Sequence, residues 1–122
     1  MKSLMIILIM ILTSTAAFAV DSNGNYAVWG LGKKSCFGYN QGIAGDDAEK
    51  YRHYIKGFLT AYNIFTEKTY SITNKMNEND VIDWLQEYCG ENPMSGLESA
   101  LINFTFDHYD KRLKRSGTAV GR

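Results

Sequence analysis

Residues 46–65 read DDAEKYRHYIKGFLTAYNIF, and this run decides the fold. Tyr51, Tyr54, Ile55, Phe58, Leu59, Tyr62 and Phe65 recur at spacings of three and four, so on a helix they form one apolar stripe. Asp46 and Asp47 stand where a helix N-terminus favours negative charge, and no Pro interrupts the run. Gly57 falls mid-helix at a cost of about 1 kcal/mol relative to Ala. That cost predicts the close approach of a neighbouring helix.

The pattern continues outward from there. Asn79–Cys89 predicts a second amphipathic helix with Asn79 as N-cap, Asp80 and Asp83 in its first turn, and Val81, Ile82, Trp84, Leu85 and Tyr88 as its apolar face. Gly90 suits the position just past its end, and Pro93 prevents continuation. Ser95-Gly96-Leu97-Glu98 reads as a capping box opening a third helix that runs through Leu97, Ala100, Leu101, Phe104 and His108 to about Arg112. Upstream, Ser35–Ile43 reads as a short helix weakened by Gly38 and Gly42, behind an extended arm, Asp21–Leu31. The expected architecture is all-α, a small bundle of three to four helices.

Thr66–Glu78 is polar and without period, and at 13 residues it is far longer than the usual connection of roughly 4–6. Such a segment is either mobile or used for binding. Lys68, Tyr70, Ile72, Lys75 and Met76 mix apolar and basic groups in a way that suits a protein interface, so these are the candidate partner-binding residues. The alternative is that Tyr70 and Ile72 fold back onto the core.

The first 19 residues have the three parts of an export signal. Met1-Lys2-Ser3 is a short basic start, Leu4–Leu12 an unbroken apolar run, and Ala17-Phe18-Ala19 a small-x-small cleavage pattern. The apolar run is about half the roughly 20 residues that a membrane anchor needs, so cleavage and a periplasmic location are expected, with no stable membrane anchor afterwards. The expected domain is 20–112, followed by a basic, disordered tail, 113–122. Loss of Lys2 from 13 basic residues leaves 12 against 13 acidic ones, close to neutral. That balance supplies no overall field for nucleic acid.

Cys36 and Cys89 are the only cysteines. There is no Cys-x-x-Cys redox or haem motif, and two Cys with two scattered His fall short of a zinc site. A cysteine nucleophile would need His53 or His108 as base. In an exported chain a disulfide is the expected use of a lone pair, and closing so long a loop stabilises by about 4 kcal/mol in the chain-entropy model. Other constellations are weaker. Asp80, Asp83 and Glu87 share a helix face, as a cation site, a patch for a basic partner, or a solvated surface. Glu49 and His53 stand four apart, an acid–base pair or an ordinary surface pair. His108 beside Asp107 could sense pH. Gly30–Ser35 lacks the spacing of a phosphate loop, and Asn103-Phe104-Thr105 is a glycosylation sequon in mid-helix. Lys111–Arg115 would complement a helix C-terminus or touch an anionic surface. No nucleophile elbow, phosphate loop or zinc-helix motif is present, so no catalytic residue, metal or cofactor is assigned.

Gly57-Phe58-Leu59-Thr60-Ala61-Tyr62-Asn63, then Trp84-Leu85-Gln86-Glu87-Tyr88-Cys89, Asn92-Pro93, Leu97 and Ala100, together with Cys36, resemble small periplasmic helical proteins of two groups. One comprises the immunity proteins that neutralise type VI secretion amidase effectors, the other the Hde-type acid-stress chaperones. The likeness runs from about Cys36 to Ala100. It implies an all-helical, disulfide-bearing fold, no catalysis, and another protein as partner, either an effector toxin or a client; a homodimer is compatible with it. The long loop before the second helix and the basic tail depart from the shorter Hde-type chaperones.

Overall fold

Four α-helices carry the described part of the chain, residues 20–117, in a computed structural model: α1 Cys36–Ile43, α2 Ala48–Phe65, α3 Glu78–Glu91 and α4 Leu97–His108. One 3-10 turn precedes them at Gly30–Lys33 and another follows at Tyr109–Lys111. The fold is a small all-α bundle. The expected leader, residues 1–19, and the last five residues lie outside the described residues. Among the described residues no helix is long and apolar enough to cross a membrane.

Short α1 sits at the centre of the bundle and packs on α2, α3 and α4. An eight-residue helix gains little from its own hydrogen bonds, so its stability comes from burial and from its ends. Tyr39 is fully buried and meets the buried Tyr51 of α2 edge to face, ring centroids 5.3 Å apart. At the N-terminus Ser35 Oγ accepts from the Gly38 amide at 3.1 Å. The amides of Cys36 and Phe37 donate to the carbonyls of Ser95 and Pro93, at 2.7 and 3.0 Å. The turn between α3 and α4 therefore caps α1, satisfying amides that a helix start leaves open. An antiparallel bridge, Ser35 to Gly96, continues this seam, and the Leu97 amide donates to the Lys34 carbonyl at 2.9 Å.

The Cys36–Cys89 disulfide joins α1 to α3, with Cα atoms 4.7 Å apart across 53 positions of sequence. Both cysteines are buried beside Leu85, Leu97, Leu101 and Phe104. The α2 stripe is formed as its periodicity requires. Tyr51 and Ile55 are buried, while Tyr54, Phe58, Leu59 and Tyr62 lie partly buried against the core. Phe65, at the end of the stripe, is 85% exposed instead. Ile64 beside it is exposed as well.

Several boundaries differ from expectation. The N-cap of α3 is Asn77, not Asn79: its side chain accepts from the Asp80 amide while Asp80 accepts from the Asn77 amide, a reciprocal box. Gly90 lies inside α3, which ends at Glu91 with Asn92 as its C-cap. Ser95 does not cap α4; its carbonyl serves α1, and Gly96 takes the N-cap position without a side-chain bond. No atom lies within 4 Å of a Cβ built on Gly57, so the expected helix–helix approach is not there. It occurs at Gly42 in α1, where a Cβ would run into the Tyr51 ring. Two buried polar atoms, Tyr39 Oη and Asn40 Oδ1, have no hydrogen-bond partner among the described residues. Burial pushes the Tyr39 phenol well above its ordinary range.

Candidate functional site

The long connection between α2 and α3 is held at several points by the end of the chain. Ser71 and Leu113 form an antiparallel bridge, the Tyr70 amide donates to the Leu113 carbonyl at 2.7 Å, and the Leu113 amide returns to the Ser71 carbonyl at 2.9 Å. Arg112 Nε donates to Thr69 Oγ1 at 2.9 Å, and Asn74 Nδ2 donates to the Lys111 carbonyl at 2.6 Å. Arg112 is itself fixed, its guanidinium 3.7 Å above the Tyr109 ring and donating to the Tyr109 carbonyl. From the other side, Asn63 of α2 accepts the Ile72 amide at 2.9 Å. Leu113, placed by the sequence at the head of a disordered tail, is thus a structural partner of the loop. Its pairing is local in space but 42 positions distant in sequence, beyond what periodicity can register.

The five candidate loop residues divide into distinct roles. Ile72 is fully buried and belongs to the core, and Met76 packs against it. Ile72 therefore offers no surface to a partner, which corrects its place in the interface. Lys68 and Lys75 are exposed, and Tyr70 is 56% exposed. The loop folds back onto the core through Ile72, while Tyr70 and the two lysines face outward. Lys68 and Asn74 adopt left-handed backbone, φ 51° and 53°, and mark its two corners. Asn tolerates this conformation, whereas Lys adopts it at a steric cost of roughly 1–2 kcal/mol.

A cleft of about 510 Å³ opens between this loop, the start of α3 and the end of α4, lined among others by Asn74, Lys75, Met76, Asp80, His108 and Lys111. The His108 ring stacks on Phe104 at 4.1 Å and meets Trp84 edge-on at 5.8 Å. His108 Nδ1 lies 2.8 Å from the Phe104 carbonyl. Asn74, Asp80, His108 and Lys111 join Lys75 and Met76 here only through the fold; their sequence positions carry no common motif. A smaller hollow of about 180 Å³ between α2 and α3 is lined by Ile55, Leu59, Met76 and Val81 together with Lys56 and Glu78.

The remaining candidates are scattered. Asp80 is engaged in the α3 cap, while Glu87 lies beside Glu91, Asp107 and the stacked Trp84–Tyr88 pair (ring centroids 5.4 Å apart) around a hollow of about 220 Å³. Among the described residues no group of three or more His, Cys, Asp or Glu is placed to hold a metal ion. Glu49 and His53 are exposed, with Nε2 and Oε2 3.9 Å apart. Asn103 of the sequon donates to the Ser99 carbonyl at 2.8 Å within α4, and Thr105 is buried. Gly30–Lys33 forms a 3-10 turn, and both cysteines are consumed by the disulfide.

Between helices, the charged contacts concentrate on Glu78. Arg52 Nη1 lies 2.9 Å from Glu78 Oε1, and Lys56 Nζ 3.3 Å from Oε2. The Arg52 hydrogen bond, aided by Lys56, holds the Glu78 carboxyl below its ordinary value. Comparison with protein-family models, curated proteins and solved structures gives no match to this chain.

Proposed function

We propose that this chain is an exported, non-enzymatic protein-binding module of an oxidising compartment, and that it acts as an immunity-type inhibitor covering the cleft of a secreted cell-wall amidase. The observation that carries the binding reading is the loop of residues 66–77. It is long, yet tied at both flanks to the bundle, and it presents Lys68, Tyr70 and Lys75 outward from a fixed frame. A loop held in place before binding loses less conformational freedom on association, which favours affinity. The amidase class rests on the resemblance in the Gly57–Asn63 and Trp84–Ala100 stretches. Inhibition would be steric, the rigid loop occupying space that a substrate needs.

The test is protection. Periplasmic expression of the chain should rescue cells from a secreted amidase encoded beside it, and Tyr70→Ala should weaken the complex at least tenfold without altering the circular dichroism spectrum. A chain that binds no such effector and protects no cell refutes the reading. Acid-activated chaperoning is the second reading, favoured by the Arg52–Glu78–Lys56 contact between α2 and α3, which acid would break. Suppression of client aggregation near pH 2 would support it, and unchanged light scattering would dismiss it.

A further inference from the structure

The near-neutral total charge conceals a segregation that only the fold makes visible. Residues 78–108, which include α3 and α4, carry seven acidic side chains and neither Lys nor Arg. The loop, 66–77, and the C-terminal segment, 109–115, carry six basic side chains against two acidic ones. These two segments are the pair joined by the Ser71–Leu113 bridge, so Lys68, Lys75, Lys111, Arg112, Lys114 and Arg115 are gathered at one end of the bundle. Among the described residues none of the six forms an ion pair with a carboxylate. Lys75 and Lys111 line the same 510 Å³ cleft, and the carboxylate in that lining, Asp80, already accepts the Asn77 amide.

We propose that this cleft receives an acidic segment of a partner protein, with Lys75 and Lys111 flanking the entering carboxylates and Met76 beneath them. The proposal rests on the protein-binding reading above and names the chemistry of the surface recognised. Unpaired cations around a concave site steer an anionic group inward and raise its rate of encounter. A protein segment fits better than a lipid surface, for a geometric reason. Lys75 and Lys111 line a concavity together with Asp80, whose carboxylate accepts the Asn77 amide, and a flat anionic bilayer does not follow a concave wall. A narrow side-chain-bearing segment enters the concavity and brings its carboxylates to the two lysines, neither of which has an ion pair among the described residues.

The test uses the folded, oxidised chain and fluorescein-labelled oligoglutamate, with oligoglutamine as neutral control. Anisotropy should show salt-sensitive binding of oligoglutamate alone, weakened about tenfold by K75E/K111E and by less in K68E/K114E, whose side chains lie outside the cleft lining. All four lysines are exposed, and circular dichroism verifies that each variant keeps its helices. Absence of binding, or equal loss in both double variants, overturns the proposal. So does sedimentation with phosphatidylglycerol vesicles, but not phosphatidylcholine vesicles, when oligoglutamate fails to bind. The functional reading fails separately: a chain that takes oligoglutamate in the cleft but protects no cell from an amidase loses the immunity role and keeps this surface.

Discussion

Removing the Cys36–Cys89 cross-link measures how much of the stability resides in the denatured chain. The bond closes a loop of 53 positions, for which the chain-entropy relation gives about 4 kcal/mol at 25 °C. A domain of this size has a total stability of roughly 5–15 kcal/mol, so that loss is a large part of the whole. In C36A/C89A the urea midpoint should fall by roughly 1.3–4 M, for slopes of about 3 to 1 kcal/mol/M, and Tm by roughly 15–30 °C. Both cysteines are buried, so alanine also removes packed volume. Unfolding the reduced wild-type chain separates the two effects, because reduction leaves the sulfur atoms in place. The competing influence is the seam on α1, where the Ser95 and Pro93 carbonyls hold the Cys36 and Phe37 amides without help from sulfur. If reduced and alanine forms both lose less than about 1 kcal/mol with unchanged slope, the loop-entropy reasoning is refuted and the seam alone holds α1. A fall in slope instead indicates that α1 detaches before the rest.

Gly57→Ala should stabilise by about 0.5–1 kcal/mol, since the position is exposed, helical and open, whereas Gly42→Ala should destabilise by about 1–3 kcal/mol by forcing the Tyr51 ring aside; urea unfolding of the pair checks both signs. Asn63→Ala removes the acceptor of the Ile72 amide and should cost about 1–3 kcal/mol, with faster hydrogen exchange at Ile72; unchanged exchange would show that the C-terminal bridge alone holds the loop. The Glu78 carboxyl is lowered on folding, so its stabilising contribution is present above its unfolded-state value near 4.5 and is lost as pH falls through the folded-state value below that. Glu78→Gln should therefore flatten the acid limb of the stability–pH curve, and an identical limb in the variant would assign acid sensitivity to other groups.

Much of this fold was legible because burial follows the 3.6-residue period. The stripes on Tyr51–Tyr62, Val81–Tyr88 and Leu97–Phe104 became the core almost residue for residue. Errors arose where a local signal had two solutions. Asn77 and Asn79 are both competent caps, and the Asp80 carboxylate selected the earlier one. Ser95 has a capping side chain, but α1 claimed its backbone carbonyl, a contact between segments 59 positions apart. Gly57 showed that a glycine in a helix need not mark a close approach; the intolerant glycine lay in the weaker helix. The cleft was the least legible part. Lys75 and Met76 were candidates from the sequence, but His108 joins them through the packing of α4 on Trp84 of α3, and Lys111 lies next to the segment that pairs with Ser71, relations that no periodicity encodes.

The seam between Lys34–Phe37 and Pro93–Leu97 also sets an order of events. Helix α1 is synthesised early, yet the carbonyls that accept its first two amides and its disulfide partner lie in the last third of the chain. An eight-residue helix with two glycines cannot persist alone until they arrive. Stable docking of α1 therefore awaits the turn at Pro93–Gly96, and since α1 packs on α2, α3 and α4, the bundle closes around it only then. Contacts of such long sequence separation slow folding relative to a bundle of simple hairpins. An oxidant acting before Cys89 has emerged finds Cys36 with no partner, so correct pairing is a matter of timing as much as of geometry.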